Sequence, residues 1–148
     1  GILILIITLF IQPFCTQKKY DFKKDFEFLY DVIDKVFNIT LTHIRKGKID
    51  KGLDLAEAYV KNNEQEIEAV GKRLNSVILS EAEAQEIARF TERYTILCNK
   101  HCDYIDRKLN PRQKDRFVTL VAEKVGLKFM SQLQVPGSST EFFKKVLR

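Results

Sequence analysis

The chain has 148 residues, 45% hydrophobic and 30% charged, with a formal net charge of +5. That length suits a single domain, and that apolar content excludes wholesale disorder. Six Gly, three Pro and three Cys exclude collagen-like, low-complexity and disulfide-built miniprotein classes, and one Met leaves no Met-rich groove.

Residues 2–11 read Ile-Leu-Ile-Leu-Ile-Ile-Thr-Leu-Phe-Ile, a run with no charge. A membrane-spanning helix needs about 20 apolar residues, whereas the apolar core of an export signal needs about 7–15. The run therefore reads as an export segment over 1–15, with Pro13 as a helix stop before a cleavage region. The first residue is Gly and no basic stretch precedes the run, so the expectation is an N-terminally truncated signal. Residues 16–19 form a polar tether, and 20–148 form the folded domain.

Apolar residues recur at spacings of three and four from Phe22 through Phe26, Leu29, Ile33, Val36, Phe37, Thr40 and Leu41 to Ile44. This is one face of an α-helix. Gly47 stands where a left-handed C-cap belongs, beside the cations Arg45, Lys46 and Lys48. A second helix is predicted from the N-cap Asp50 through Leu53, Ala56, Val60, Ile67, Val70, Leu74, Val77 and Ile78, with a kink or break at Asn62-Asn63. Ser80 and Glu83 form a capping box that opens a third helix, whose face runs from Ala84 through Ile87, Phe90, Tyr94, Leu97, Cys98 and His101 to Ile105.

Asn110-Pro111-Arg112-Gln113 is a second start signal. It opens a fourth helix with Phe117, Leu120, Val121 and Val125, which ends at Gly126 or continues through Phe129, Met130 and Leu133. After the turn Pro136-Gly137-Ser138-Ser139, Thr140 caps a short last helix with Phe142, Phe143, Val146 and Leu147. No segment shows sustained strand alternation. The predicted class is all-α: a bundle of four main antiparallel helices plus a short C-terminal helix, preceded by the apolar export segment.

Charge is uneven along the chain. Residues 1–49 hold eight basic and five acidic side chains, 50–106 seven and twelve, and 107–148 ten and three. The basic C-terminal third points to an anionic membrane surface or cell-envelope component, with a solvated helix face as the plainer alternative. Export and the lack of a nucleic-acid-binding module disfavour nucleic acid.

Cys98-Asn-Lys-His101-Cys102 is the one cluster of site-like residues. On a helix, positions 98, 101 and 102 share a side, and two thiols with an imidazole are reasonable ligands for a soft-tolerant metal. A structural zinc would need a fourth ligand, and the only other histidine is His43. A Cys98–Cys102 disulfide is a second option, although Cβ atoms four residues apart on a helix lie about 5–6 Å from each other against the roughly 3.8 Å a disulfide prefers. Packing of Cys98 as a small apolar residue is the third.

No Gly-x-Ser-x-Gly and no phosphate-binding glycine loop is present. The carboxylate pairs Glu64/Glu68 and Glu83/Glu86 read as solvated helix residues. No catalytic residue and no cofactor is assigned.

Cys15 resembles the lipidated cysteine of bacterial lipoproteins, which implies a mature chain anchored at Cys15; ordinary cleavage near Cys15 and Thr16 is the alternative. Leu109-Asn-Pro-Arg-Gln113 resembles the Leu-Thr-x-x-Gln signature of small helical periplasmic stress chaperones, with Leu79-Ser-Glu-Ala-Glu83 as a partner segment. That resemblance implies binding of unfolded clients through an apolar or basic concave face.

The expectation is a small exported helical protein of the periplasm or cell envelope, non-enzymatic, with a binding or structural role. A periplasmic chaperone or stress sensor, and a Cys/His metal-binding protein, are the alternatives. If Cys15 is lipidated, Cys15→Ser blocks processing and leaves a heavier precursor in whole-protein mass spectrometry; if cleavage is ordinary, neither processing nor fractionation changes.

Overall fold

The computed structural model describes residues 20–77 and 80–126. The export segment, Cys15, the tether 16–19, Ile78, Leu79, Phe129, Met130, Leu133 and the predicted turn and helix over 136–147 lie outside the described residues. Within them the chain is nearly all helical and contains no strand: α1 (Phe22–Arg45), α2 (Ile49–Asn62), α3 (Glu64–Asn75), α4 (Glu81–Lys108), α5 (Pro111–Val118) and a π-helical continuation of α5 over Thr119–Gly126.

The carboxylate of Asp21 caps α1, accepting from the Lys24 amide at 3.4 Å. Buried positions of α1 include Phe22, Asp25, Phe26, Leu29, Val32, Ile33, Val36, Phe37, Thr40, Leu41 and Ile44. At 100° per residue these cover roughly half the helix circumference, wider than the single stripe that spacing alone suggests. Asp25 and Val32 supply the extra width. Thr40 is tolerated inside because its hydroxyl donates to the Val36 carbonyl at 2.9 Å. A face this wide needs partners on several sides, and α2, α3, α4 and the π-helical segment all pack against α1.

Gly47 takes φ +66°, the left-handed conformation that ends α1 without strain. Its amide reaches the Ile44 carbonyl at 3.0 Å and the Lys48 amide reaches that of His43 at 2.9 Å. The helix after this turn begins before Asp50. Lys48 occupies the N-cap and Asp50 lies in the first turn, so its carboxylate points across to α5.

The break predicted at Asn62-Asn63 is real and centres on Asn63. Its side-chain amide donates to the Tyr59 carbonyl at 2.8 Å, capping α2, while its own carbonyl accepts from Ile67 and starts α3. Both predicted capping boxes are present. The Ser80 hydroxyl accepts from the Glu83 amide while Glu83 Oε2 accepts from the Ser80 amide. Asn110 and Gln113 do the same at the start of α5.

The buried apolar residues form one core. Phe26 stacks on Phe90 with ring centroids 5.6 Å apart, and the edge of Phe37 meets Phe117 at 5.2 Å, joining α1 to α4 and α5. Ile87, Leu97, Cys98 and Ile105 line the inner side of α4 as their spacing requires, whereas Ala84 is exposed.

At Gly52, α2 approaches α1 closely. A Cβ built there would lie 2.5 Å from the Cβ of His43 and 3.0 Å from its Cγ. Both atoms sit at the root of a side chain whose Nδ1 is held 2.8 Å from the Ile39 carbonyl, so the histidine cannot swing aside. In an open helix Gly→Ala would stabilise by about 1 kcal/mol. Here overpacking, costing about 1–3 kcal/mol, is expected to win. Gly52→Ala should therefore lower stability in urea unfolding, and a stabilised variant would show that α1 and α2 do not meet so closely.

Candidate functional site

Three groups of polar side chains stand out. The first is the predicted thiol cluster on α4. Cys98 is 1% exposed, and Cys102, one turn later, is partly exposed; both are free thiols. The neighbouring Cys102 thiol and burial push the Cys98 thiol well up. The same neighbour relation holds Cys102 below the ordinary thiol value. The buried Tyr94 hydroxyl lies beside Cys98, and burial pushes the phenol well above its usual value.

His101 shares this stretch of α4, but its ring rests on Phe37, with centroids 6.1 Å apart. Burial and the positive charges of Lys100 and Arg45 lower its pKa, so the imidazole is neutral at pH 7. Among the described residues, no group of three His, Cys, Asp or Glu side chains converges as a metal site would require. His43, the other histidine, is held by Ile39 and packed over Gly52 on α1.

The second group surrounds Asp25, a residue only 7% exposed on the inner side of α1. Arg73 of α3 donates Nε to one carboxylate oxygen at 2.8 Å and Nη2 to the other at 2.9 Å, a bidentate pair. The Tyr20 hydroxyl donates to the same carboxylate, and Arg73 Nη2 also reaches Glu66 at 2.7 Å. Burial by itself would raise the Asp25 pKa; the hydrogen bonds from Arg73 and Tyr20 outweigh it and hold the carboxyl below the usual range.

The third group is centred on Arg116 of α5. Its guanidinium bridges three carboxylates of α2: Glu57 at 2.7 Å, Asp54 at 2.5 Å and Asp50 at 3.6 Å. The Gln113 amide donates to Asp50 at 3.1 Å, so the residue that closes the α5 capping box also ties α5 to the start of α2. Alongside lies a groove of about 480 Å³ between α2, α5 and the π-helical segment, lined by Glu57, Val60, Glu64, Arg116, Leu120 and Lys124 among others.

The sequence reading located the first group and missed the other two. Asp25 carried one usable signal: a carboxylate at a core-facing position of α1 demands a cationic partner. That partner is 48 residues away, and Arg116 is 59 residues from Glu57, so no local spacing identifies either pair.

Leu109 and Gln113, from the five-residue chaperone-like signature, act structurally here. Leu109 is buried and Gln113 is in the capping box. Compared with protein-family models, with curated proteins and with solved structures, the chain matches none.

The Asp25–Arg73 pair makes a pH-dependent contribution to stability. The folded pKa of Asp25 is lowered, so its contribution is fully present above the unfolded carboxylate value of about 3.9 and is lost as pH falls through the folded value. Arg73→Ala removes the bidentate partner of a nearly buried carboxylate and is expected to cost about 3 kcal/mol at pH 7, since Tyr20 still donates. Urea unfolding at pH 7 and pH 3 should show the difference between wild type and Arg73→Ala shrinking in acid. A difference independent of pH would mean that Asp25 is not the group being stabilised.

Proposed function

We propose that this chain is a small exported helical protein of bacterial type that acts without catalysis, docking on an anionic membrane surface through the basic end of an antiparallel helical bundle. The pairings across helices support the bundle. Lys23–Glu86, Glu27–Arg93 and Phe37–His101 advance together along α1 and α4, as parallel helices require. His43–Gly52 and Asp25–Arg73 match α1 to α2 and α3 in reverse order, as antiparallel helices require. Asp50–Gln113 and Glu57–Arg116 advance together along α2 and α5. The order is up, down, up, down.

This arrangement brings the α1–α2 and α4–α5 turns to one end, and the cations gathered there carry the docking reading. Arg45, Lys46, Lys48 and Lys51 flank the first turn, Arg107, Lys108 and Arg112 flank the second, and all seven are exposed. Two carboxylates near these turns are held within the chain, Asp50 by Arg116 and Gln113 and Asp106 by Lys114 at 2.8 Å. The basic surface is therefore not simply the C-terminal third of the sequence. It joins cations from two distant segments, while Arg116 of that third is engaged internally. Each Lys or Arg near an anionic bilayer contributes about 1 kcal/mol, and salt screens the attraction. No helix among the described residues is long and apolar enough to cross a membrane. The uncharged run 2–11 supports export.

Co-sedimentation with phosphatidylglycerol-containing vesicles tests the docking reading. Binding should weaken steeply with salt and be absent on phosphatidylcholine alone. A variant with Lys46, Lys48, Arg107 and Arg112 all changed to Glu should bind more than about 100-fold more weakly. Unchanged binding by that variant, or equal binding to zwitterionic vesicles, would defeat it. The mature N-terminus, read by mass spectrometry from membrane and soluble fractions, tests export.

A further inference from the structure

Formal charge is separated along the proposed bundle. The two turn segments, 45–51 and 106–114, hold eight basic and two acidic side chains, a net charge of +6. The remaining described residues hold eleven basic and seventeen acidic side chains, a net charge of −6. Three guanidiniums along the helices are also neutralised in place. Arg73 meets Asp25 and Glu66, Arg93 meets Glu27 at 2.6 Å, and Arg116 meets Glu57 at 2.7 Å. The bundle therefore has one strongly basic end, while its walls and opposite end are together acidic.

Such a separation orients the molecule at an anionic surface. Lying along that surface, the bundle would press acidic walls against lipid phosphates together with its cations, and repulsion would offset part of the attraction. Standing on its basic end, it meets the phosphates with cations alone. Its walls then rise out of the screened layer, since the Debye length is about 8 Å at physiological salt, whereas the 24 residues of α1 span about 36 Å and the 28 of α4 about 42 Å. We propose that the bundle docks end-on, its helices standing on the anionic bilayer and its opposite end held about 40 Å away. End-on docking rests on the anionic-membrane reading and adds an orientation and a reach to it.

The raised end is where the chain enters α1, fixed there by the Tyr20 hydroxyl on the Asp25 carboxylate. From Cys15 to Tyr20 the chain reaches at most about 18 Å when fully extended, half the length of α1. A membrane attachment at Cys15 therefore cannot reach the bilayer on which the basic end stands. A chain held at its N-terminus meets a second anionic surface with its basic end, and the bundle is the spacer between the two.

The test is lysine footprinting of the full chain, with and without phosphatidylglycerol-containing vesicles, by brief acetylation and peptide mass spectrometry. Native lysines report every face. Lys46, Lys48, Lys51 and Lys108 mark the basic end, and Lys23, Lys24 and Lys72 the opposite end, all exposed. Lys35, Lys61, Lys100 and Lys124 are exposed on the walls of α1, α2, α4 and the π-helical segment, about 12–20 Å above the basic end at 1.5 Å per residue. End-on docking predicts loss of acetylation at the four basic-end lysines, with the wall and opposite-end lysines reacting as in the free chain. Neutron reflectometry on a supported bilayer of the same lipid should show a protein layer about 40 Å thick, against about 20 Å for two helix diameters lying flat. Binding with protection of any wall lysine, or a layer about 20 Å thick, overturns the orientation and leaves membrane docking standing. Protection of Lys23, Lys24 and Lys72 in place of the basic-end lysines overturns both, as does failure to bind the vesicles at all.

Discussion

The breadth of the buried surface on α1 governs the rest of the structure. A helix that hides roughly half its circumference cannot be satisfied by one neighbour. It needs α2 and α3 on one side, α4 on another and the π-helical segment on a third. Phe37 shows the consequence in one residue: fully buried, its ring meets His101 of α4 and Phe117 of α5. Asp25 shows the cost of such breadth. A carboxylate at the edge of the buried arc is tolerated only because a guanidinium from α3 and a phenol from Tyr20 satisfy it in place of water.

The helices are positioned by polar chemistry at their ends and by charge between them. The starts of α1, α4 and α5 are each marked by a side chain that accepts from a backbone amide: Asp21, Ser80 and Asn110. Asn63 both ends α2 and begins α3, so a single residue converts one long amphipathic segment into two helices that follow α1 along its length. The acidic middle of the chain and its basic C-terminal portion look like opposed surface patches when read linearly. In three dimensions they are partly partners, since Arg116 sits among Asp50, Asp54 and Glu57. Pairs of this kind, exposed to solvent on the carboxylate side, add little stability individually but specify which helix faces which. In the proposed bundle, the exposed cations at the two turns form a surface assembled from residues about sixty positions apart.

The thiols belong to a different part of the molecule and follow a different logic. Their spacing on one helix is a local property. Their unequal exposure is a property of packing. Cys98 faces the core formed with α1, while Cys102, one turn on, reaches its margin. The same packing places the ring of His101 on Phe37, with centroids 6.1 Å apart.

The sequence by itself determined the helical class, both capping boxes, the left-handed turn at Gly47, the interruption near Asn63 and most of the core of α1 and α4. Each depends on interactions within about four residues, so spacing and residue type suffice to read them. Only the tertiary structure decided that Asp25 pairs with Arg73, that Arg116 is drawn to α2, that Asp50 serves α5 and not its own cap, and that Gly52 admits His43. These contacts join positions whose proximity depends on the relative placement of whole helices, and no local pattern encodes it. The charges illustrate the difference most plainly: their signs are written along the chain, but whether a cation faces solvent or a carboxylate is settled only when the helices meet.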